Sequence, residues 1–414
     1  MTPAKQNKKK IFNDPIYGFI SIPFEIILDL IDHPYFQRLR RIKQLGLSHL
    51  VYPGALHTRF HHAVGCTHLM KKAVENLRER GQEITPEESE AVCIAILLHD
   101  IGHGPFSHAL EHSLVHGVTH EDISTLVMQE LNKEFNGRLT LAIEIFENRY
   151  PKKFLHQLVS SQLDMDRLDY LKRDSFYSGV SEGVISSDRI IEMLDVVNDS
   201  LAVQQKGIYS VEKFIVARRL MYWQVYLHKT VLAAEFMLVN ILKRAKELTA
   251  EGKDLFASPA LKSFLQNHYT CEDFKARPDI LKTFMQLDDF DIMGAIKVWT
   301  GHEDLVLSEL SRMMVNRQLL KIEIDNSPID AARKQGFLKR TAAHYGISEA
   351  QAAYFVFADS IANNAYNPAS DRINILFKDD SLKDITEASD NLNIQALSQP
   401  VRKHFMCYPE VLRR

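Results

Sequence analysis

The sequence predicts a mainly α-helical protein with a short N-terminal β-hairpin and a smaller C-terminal region that mixes helices and strands. Apolar residues recur at helical spacing from Phe24 to about residue 248, which predicts a series of amphipathic helices. Two β-type runs precede this series, and shorter β-rich runs follow residue 318. With 414 residues, 45% of them hydrophobic and 25% charged, the chain has the composition of a globular protein with a large core.

The N-terminal segment combines a basic tail with a predicted hairpin. Residues 1–10 read MTPAKQNKKK, and because no apolar segment follows them, we expect a solvated tail rather than a signal peptide. Residues 11–22 read IFNDPIYGFISI, in which two apolar runs surround Asn-Asp-Pro and Gly18, as in a β-hairpin. The predicted helical segments follow, near residues 24–46, 60–80, 86–98, 119–134, 153–175, 188–197 and 211–248.

The best candidate for a boundary within the chain is the segment TAEGKDLFASP, at residues 249–259. We therefore expect a helical core at 11–250 and a C-terminal α+β lobe at 251–414 that packs on the core. Further helices are expected to about residue 318, and the β-type runs lie at 319–324, 352–358 and 372–377.

Charge, hydropathy and cysteine spacing narrow the class of protein. A net charge of −3 lacks the basic surface on which nucleic-acid binders depend, and no apolar stretch approaches the roughly 18 residues that span a bilayer. The four cysteines are scattered without a CxxC pair, which favours reduced thiols in a cytoplasmic protein over a disulfide or zinc–thiolate framework. If a metal is bound, we expect His and Asp ligands.

The segment EAVCIAILL, residues 90–98, is apolar on nearly every side and predicts a helix buried in the core. It ends in His99 and Asp100, two polar groups that must be satisfied where water is scarce. A cation satisfies both, because neutral imidazole and carboxylate bind Zn, Fe, Mn or Ni. A capped helix end with an internal His–Asp hydrogen bond also satisfies them, so the dipeptide alone leaves both interpretations open.

Two other segments offer further ligands. HTRFHH, residues 57–62, begins another helical pattern and contains three histidines. In SQLDMDRLDYLKRDSFY, residues 161–177, Asp166, Tyr170 and Asp174 recur every four residues and share one helix face. That face could simply be exposed to solvent. Alternatively, a His, the His-Asp pair and a distant Asp on three helices would form a four-ligand site with room for water.

A later helical segment places a cation and two aromatic rings on one face. In VEKFIVARRLMYWQVYLHKTVLAAEF, Arg218, Tyr222 and Tyr226 are four residues apart. This face could line a nucleotide cleft, or it could be an aromatic stripe packed against the core. Spacing alone does not decide between the two.

Six sequence words, in this order, carry a resemblance to a known family: NDPIYGFI, FQRLRRIKQLG, YPGALHTRFHHAVG, LLHDIGHGPFSH, THE and DMDRLDYLKRD. They resemble the HD phosphohydrolase superfamily, whose signature is H…HD…D. Within it they are similar to the deoxynucleoside triphosphate (dNTP) triphosphohydrolases, in the branch that contains the animal sterile-alpha-motif/HD enzyme and its bacterial relatives. The match runs from about residue 10 to 250 and more weakly to about 378. It implies an HD-type helical core and hydrolysis of a dNTP to a deoxynucleoside and inorganic tripolyphosphate.

The resemblance also implies a metal site. The ligands would be His62, His99, Asp100 and Asp166, holding a divalent ion such as Mn, Mg, Fe, Zn or Ni. His61 stands immediately before His62, where many relatives carry an acid, and the spacing from Arg59 favours His62 as the ligand.

The remaining site residues follow from the same match. His108 would be the general acid, oriented by Glu111, with His120 and His103 as phosphate contacts. Tyr222 stands where some relatives carry His. The implied contacts to the triphosphate are Arg59, Arg167 and Arg218, those around the deoxyribose are Gln44, Leu45, Tyr170 and Asp174, and the aromatic wall is Tyr222 and Tyr226.

A second nucleotide site is implied by Lys10, Asp32, Gln37 and Arg40, which match positions that bind an activating guanine nucleotide between subunits in some relatives. By this analogy the partners are a dNTP substrate, a guanine nucleotide or dNTP effector, and further copies of the chain in a dimer or tetramer, with the C-terminal lobe in the interface. Two alternatives remain open. The chain could be an HD phosphodiesterase or nucleotidase that acts on another nucleotide, or a nucleotide-sensing module without turnover.

Overall fold

The computed structural model describes residues 10–106, 115, 117–368, 371–391, 394, 397 and 399–412, and it is mainly α-helical, as the sequence predicts. The predicted hairpin is confirmed, because strands β1 (Ile11–Asp14) and β2 (Gly18–Ser21) pair antiparallel. Of the basic tail, only Lys10 belongs to the described residues.

Helices dominate the chain as far as residue 250. A π-helical turn, Tyr222–Tyr226, separates the last two of them. The bounds are α1 Glu25–Asp32, α2 Pro34–Gln37, α3 Arg59–Glu79, α4 Pro86–Leu98, α5 His120–Glu134, α6 Thr140–Phe146, α7 Lys153–Val159, α8 Met165–Ser178, α9 Ser187–Glu192, α10 Ile208–Met221 and α11 Lys229–Ala250.

Helix α4 lies in the middle of the core, as its apolar sequence predicts. Thr85 and Glu88 form a capping box at its N-terminus, and Pro86 occupies the first helical position, where its missing N–H has no intrahelical partner to lose. All residues from 91 to 98 are buried. Because α4 packs against α3, its C-terminal end delivers His99 and Asp100 inside the protein.

Three predicted helical segments are interrupted, each for a local reason. Pro34 cannot continue the hydrogen bonding of α1, so a new helix begins there. Asp164 separates α7 from α8, because its carboxylate accepts the N–H of Ser161 and of Arg167, each at 2.7 Å, and caps the second helix. The segment 188–197 ends as a strand, because Asn198 and Asp199 both adopt positive φ, the geometry of a two-residue hairpin turn.

The C-terminal region alternates short helices with short strands. The helices are α12 Pro259–Gln266, α13 Cys271–Ala276, α14 Pro278–Phe284, α15 Asp289–Trp299, α16 Leu305–Val315, α17 Ala331–Tyr345, α18 Glu349–Ala352 and α19 Ile385–Ala388. The strands of the two larger sheets are β3 Leu194–Val197, β4 Ser200–Gln204, β5 Lys321–Asp325, β6 Phe357–Asn363, β7 Asn374–Leu376, β8 Leu382–Asp384 and β9 Val401–Tyr408.

Of the three predicted β-type runs, 319–324 overlaps β5 and 372–377 contains β7, whereas 352–358 is largely wrong. Ser348 and Gln351 form a capping box that starts a short helix there, and the strand begins only at Phe357. The apolar character of this run reflects burial in the core, since Phe355 and Val356 are fully buried.

One sheet joins the two parts of the chain. Its order is β3-β4-β7-β8, and β4 pairs in parallel with β7, with Val203 opposite Ile375. The C-terminal region therefore completes a sheet that begins before residue 250. The division at 250/251 as a domain boundary stays a prediction.

Within the described ranges, we find no individual helix with the length and apolar character needed to cross a membrane. The segments Gln205–Tyr226 and Lys229–Ala250 pass such a test only when taken together, and they are bent by 56° relative to each other.

Candidate active site

Three helices bring the predicted metal ligands together. His62 lies in the first turn of α3, His99 and Asp100 follow α4, and Asp166 lies in the first turn of α8. The Nε2 atom of His62 is 3.0 Å from Asp166 Oδ1 and 3.7 Å from Asp100 Oδ2. The Nε2 atom of His99 is 3.4 Å from Asp100 Oδ1 and 3.5 Å from Asp166 Oδ1. Each of the two imidazoles thus lies within 3.7 Å of both carboxylates.

The donor set fits a divalent cation. The Nε2 atom of His99 is buried and makes no hydrogen bond to any described residue, although two carboxylates face it. Burial opposes protonation of His99, but the charges of Asp100 and Asp166 outweigh it and raise its pKa. A positive charge is therefore favoured at this point, and a metal ion supplies it while accepting the imidazole lone pairs.

His61 and Cys66 are two further potential ligands that lie beside the cluster. The Nδ1 atom of His61 accepts the N–H of Thr58 at 3.1 Å and caps α3, which leaves His62 as the histidine that faces the cluster. The Sγ atom of Cys66 is 3.5 Å from His62 Nδ1. Burial raises the pKa of this thiol far above its ordinary range, which favours the neutral thiol, and its sulfur lies close enough to His62, His99 and Asp166 to share an ion with them.

A buried ion-pair chain, not expected from the sequence motifs, orients His62. Asp169 Oδ2 lies 2.8 Å from His62 Nδ1, which fixes the ring so that Nε2 points at the cluster. Arg173 holds Asp169 through Nε and Nη2, both at 2.9 Å, and donates to Asp14 Oδ2 at 2.7 Å. Burial alone would raise the pKa of Asp169, but Arg173 and His62 outweigh it and lower the pKa to about 2. The sequence DMDRLDYLKRD already contains this ion pair as an Asp and an Arg four residues apart, the spacing of side chains that contact each other on one helix face.

The loop after Asp100 packs against the start of α5. Ser124 accepts the Gly102 N–H at 3.0 Å and donates to the His99 carbonyl at 2.8 Å. A Cβ at Gly102 would lie 2.3 Å from the His120 carbonyl oxygen, so the loop approaches α5 this closely only with glycine.

His103 and His120 are brought together beside the metal cluster. Their rings stack with centroids 3.9 Å apart, and His103 Nε2 lies 3.3 Å from Asp100 Oδ1. Burial, with the charge of Arg59, lowers the pKa of His103 to about 3, so its ring is neutral near pH 7. The predicted general acid, His108, and its partner Glu111 lie outside the described residues.

A cleft of about 320 Å³ contains most of the predicted substrate residues. The Oε1 atom of Gln44 is buried there and accepts no hydrogen bond from any described residue, so it is free to accept one from a ligand. The lining consists of Gln44, Leu45, Gly46, Ser48, Arg59, Phe106, Tyr170, Asp174, Tyr222, Tyr226, Leu227 and Glu235. Of these, Gly46, Ser48, Phe106, Leu227 and Glu235 were not predicted, because no spacing rule links them to the motifs.

Arg59 connects the cleft with the metal cluster. Arg59 belongs to the cleft lining, and its Nη1 forms a short ion pair with Asp100 Oδ2. A ligand in the cleft therefore has a fixed positive charge between it and the metal position.

Asp174 is a buried carboxylate of the cleft lining with two side-chain partners. Tyr226 donates its hydroxyl to Asp174 Oδ2 at 2.9 Å, and His57 Nε2 lies 2.7 Å from Asp174 Oδ1. His57 is buried and stacks on Tyr177 with centroids 4.4 Å apart. His57 thus fixes the orientation of Asp174, a role that the sequence analysis did not assign.

The predicted face of Arg218, Tyr222 and Tyr226 does not lie on a single regular α-helix, because only Arg218 belongs to α10. Tyr222 and Tyr226 lie at the two ends of the π-helical turn, and their ring centroids are 5.1 Å apart. Both line the cleft, and the wider turn is typical of functional sites.

Arg167 and Arg218 lie beside the cleft and not in its lining. Arg167 Nε donates to the Ser161 carbonyl at 2.7 Å, and Arg218 Nη1 donates to Gln162 Oε1 at 2.9 Å. Burial raises the pKa of Tyr170, and the positive charges of Arg167 and Arg218 act against that shift. Both arginines therefore lie near Tyr170, which belongs to the cleft lining.

The four predicted effector residues form two contacting pairs. Lys10 Nζ lies 2.7 Å from Asp32 Oδ1, and Arg40 Nε donates to Gln37 Oε1 at 2.9 Å. The Arg40 guanidinium also lies over the Phe60 ring at 3.5 Å. A larger cleft, of about 550 Å³, lies elsewhere in the molecule, and its lining contains none of the predicted site residues.

Comparisons with known proteins agree with this geometry. The family model "HD domain" matches residues 59–174, which begin at Arg59 and end at Asp174, and the model "HD associated region" matches residues 185–258. The solved structure of a phosphohydrolase from Bacteroides thetaiotaomicron is 56% identical, with a TM-score of 0.94 over 97% of this chain and 100% of that one.

Two curated relatives extend the comparison. The uncharacterized protein YwfO of Bacillus subtilis is 33% identical over 99% of this chain and 94% of its own length. The deoxynucleoside triphosphate triphosphohydrolase SAMHD1 homolog of Dictyostelium discoideum is 33% identical over 59% of this chain and 51% of its own length, so this chain spans about half of that protein. On the family models, the full-length relative and the convergent His-Asp cluster, the chain belongs to the HD-domain phosphohydrolase family.

Proposed function

We propose that the chain is a metal-dependent dNTP triphosphohydrolase that releases a deoxynucleoside and inorganic tripolyphosphate. The observation that carries the proposal is the position of Arg59, which lines the cleft and also pairs with Asp100 of the metal cluster. A nucleoside in the cleft would extend its phosphates past this guanidinium towards the cluster. The resemblance to dNTP triphosphohydrolases, including the amoebal relative, supports the choice of substrate.

His62, His99, Asp100 and Asp166 would hold the divalent ion. When bound, the ion supplies Lewis-acid stabilisation of the phosphoryl oxygens and makes water a nucleophile near neutral pH. In the reaction, water attacks the α-phosphorus, the bond to the 5′ oxygen breaks, and that oxygen leaves as the deoxynucleoside hydroxyl. His108, oriented by Glu111, is proposed to donate the required proton. Arg59, with His103 and His120 beside it, is proposed to bind the phosphate oxygens.

The opposite end of the cleft is proposed to select the sugar. Asp174, held by His57 and Tyr226, would bind the 3′ hydroxyl, and Gln44 Oε1 is a second acceptor nearby in the lining. Leu45 and Tyr170 would limit the space around C2′, so that ribonucleotides are rejected sterically. Arg167 and Arg218 are proposed to reach the triphosphate from beside the cleft.

A product assay tests the proposal. Each of the four dNTPs is incubated with the protein and Mn²⁺ or Mg²⁺, and the products are separated by ion-exchange chromatography. We expect tripolyphosphate and deoxynucleoside in equal amounts, and none from Asp166→Ala. Orthophosphate or pyrophosphate as the only inorganic product would instead favour a phosphodiesterase or nucleotidase, and dNTP-induced thermal stabilisation without turnover would favour a sensing module.

We also propose that the chain is cytoplasmic, forms homo-oligomers, and binds an activating nucleotide at Lys10, Asp32, Gln37 and Arg40. Arg40, whose guanidinium lies over the Phe60 ring, and Lys10, which pairs with Asp32, are the cations that an anionic effector requires. Sedimentation and turnover, each measured with and without GTP, test the oligomeric state and the effector site. A species whose mass and turnover do not change with GTP would contradict the effector site.

A further inference from the structure

A buried carboxylate from the C-terminal region contacts two separate walls of the substrate cleft. Asp289, the first residue of α15, is 2% exposed. Its Oδ1 accepts the N–H of Phe106 at 3.1 Å, and its Oδ2 accepts the N–H of Lys43 at 3.0 Å. The Lys43 ammonium adds an ion pair at 3.5 Å from Oδ2. One side chain thus ties together segments that are 63 residues apart in the sequence.

Lys43 begins the first of these walls. It forms an antiparallel bridge with Thr58, and the next residue, Gln44, donates its N–H to the His57 carbonyl at 3.0 Å. The cleft residues Gln44 and Leu45 follow it directly, and Thr58 immediately precedes Arg59. A displacement of Lys43 would therefore move the cleft residues on both sides of the bridge.

Phe106 is part of the second wall and is conformationally strained. It lines the cleft and has a φ of 53°, in the left-handed region that bulky residues rarely adopt. Its ring lies 5.9 Å from the Lys43 ammonium, and its N–H is held by Asp289. Strain of this kind persists only where surrounding contacts impose it, and Asp289 provides one such contact.

A second contact also joins the segment around the start of α15 to the helical core. The guanidinium of Arg38 is fully buried and donates from Nε to the Leu287 carbonyl at 2.6 Å and from Nη1 to the Ile101 carbonyl at 3.4 Å. The segment before α15 is thus bonded to the loop that follows the HD pair. The C-terminal region is therefore bonded to the helical core at two places, through Arg38 and through Asp289, and Asp289 is the one that contacts cleft residues.

We propose that Asp289 is a positioning residue that holds the Gln44 wall and the Phe106 wall of the cleft in register, so that the C-terminal region sets the affinity for the nucleotide. The inference rests on the proposed function, because it assigns these walls to substrate binding. Asparagine at this position would keep one acceptor oxygen but turn an NH₂ donor towards the other N–H, so one wall would be released.

Steady-state kinetics and hydrogen exchange test the proposal together, in the full-length protein. For Asp289→Asn we expect the KM for dGTP to rise about tenfold while kcat falls by less than about threefold. Amide exchange in peptides covering residues 38–48 and 100–106 should accelerate, with unchanged exchange in α4. The matched control is Asp279→Asn, which removes a carboxylate at the start of another helix of the C-terminal region, α14, where Asp279 is exposed and pairs with Arg277. We expect its KM and exchange to match the unmodified protein within about twofold.

Unchanged KM and exchange in Asp289→Asn, or equal changes in Asp279→Asn, would overturn the proposal. If Asp289→Asn does not fold, Lys43→Met removes only the ammonium contact and should raise KM by about threefold in a folded protein, and no change there would equally overturn it. If the unmodified protein hydrolyses no dNTP, the proposed function fails, whereas the exchange data still decide whether Asp289 holds the two walls.

Discussion

At the scale of single residues, the candidate site depends on side chains that bind other side chains rather than ligands. Asp169 orients His62, and His57 orients Asp174, each through a buried imidazole–carboxylate contact of 2.8 and 2.7 Å. Such partners determine which ring nitrogen is available and in which direction it points. The His-Asp cluster and the part of the cleft around Asp174 are therefore built on the same principle.

The role of Asp169 leads to a prediction about metal affinity. Asp169→Asn removes the negative charge that holds His62, so we expect the metal concentration for half-maximal hydrolysis to rise about 10- to 100-fold, with activity largely restored by excess metal. Metal titration of the turnover rate measures this. Asp188→Asn is the control, because Asp188 is paired with Lys72 at the surface and should not alter metal dependence. An unchanged titration curve for Asp169→Asn would count against the orienting role.

Tyr226 gives a second prediction at this scale. Tyr226→Phe removes the hydroxyl that donates to Asp174, so we expect the preference for dNTPs over 2′,3′-dideoxy analogues to fall about tenfold in kcat/KM. The ratio is measured with matched substrate pairs. Tyr209→Phe, at a position that is 71% exposed, provides the control. The assignment of Asp174 to the 3′ hydroxyl would be wrong if both variants kept the full preference.

At the scale of elements, the site depends on how closely α3 approaches α8. Gly65 lies at their crossing, and a Cβ built there would be 2.1 Å from Asp169 Oδ1 and 2.2 Å from Arg173 Nη2. The absence of a side chain at this position lets the Asp169–Arg173 ion pair pass between the helices. Glycine, which ordinarily weakens a helix interior, is here required by packing.

Adding one methyl group at Gly65 tests whether the packing of α3 against α8 requires glycine there. Gly65→Ala forces the buried ion pair to move, so we expect the free energy of unfolding to fall by about 1–3 kcal/mol or more. Chemical denaturation measures the change. Gly294→Ala is the matched control, since this exposed helical glycine has no neighbour within 4 Å of the added Cβ and should stabilise the protein by about 0.5–1 kcal/mol. Equal effects of the two substitutions would contradict the packing argument.

At the scale of the whole molecule, the C-terminal region is integrated into the core. Strand β7 pairs with β4, and buried Arg38 takes the Leu287 carbonyl as a partner. Burial lowers the pKa of Arg38 to about 9, which indicates how strongly this guanidinium depends on its acceptors. Removal of the region would leave a strand edge and a cation without these partners.

A truncation tests this integration. A fragment that ends at residue 250 would lose both β7 and the Leu287 acceptor, so we expect no cooperative thermal unfolding and strong binding of a hydrophobic dye. Circular dichroism and dye fluorescence measure both properties beside the full chain. A sharp unfolding transition in the fragment would show instead that residues 11–250 fold as an independent domain.

Local sequence patterns accounted for much of the fold, because hairpin turns, capping boxes and apolar periodicity act over a few residues. They failed where a short signal competed with a longer one, as at Asn198-Asp199, where a two-residue turn ended a predicted helix. The resemblance to the HD family named the four candidate ligands. It did not name Asp169, His57 or Phe106, whose roles depend on contacts with residues 107, 117 and 183 positions away.

The sequence by itself determined which chemical groups are present and the order in which helices deliver them, because propensity, capping and periodicity are local properties of the chain. Only the tertiary structure decided that Arg59 stands between the cleft and the His-Asp cluster, and that Asp289 joins two walls of that cleft. The physical reason is that hydrogen bonds and ion pairs act over about 3 Å, a distance between remote residues that helix crossings and core packing alone establish.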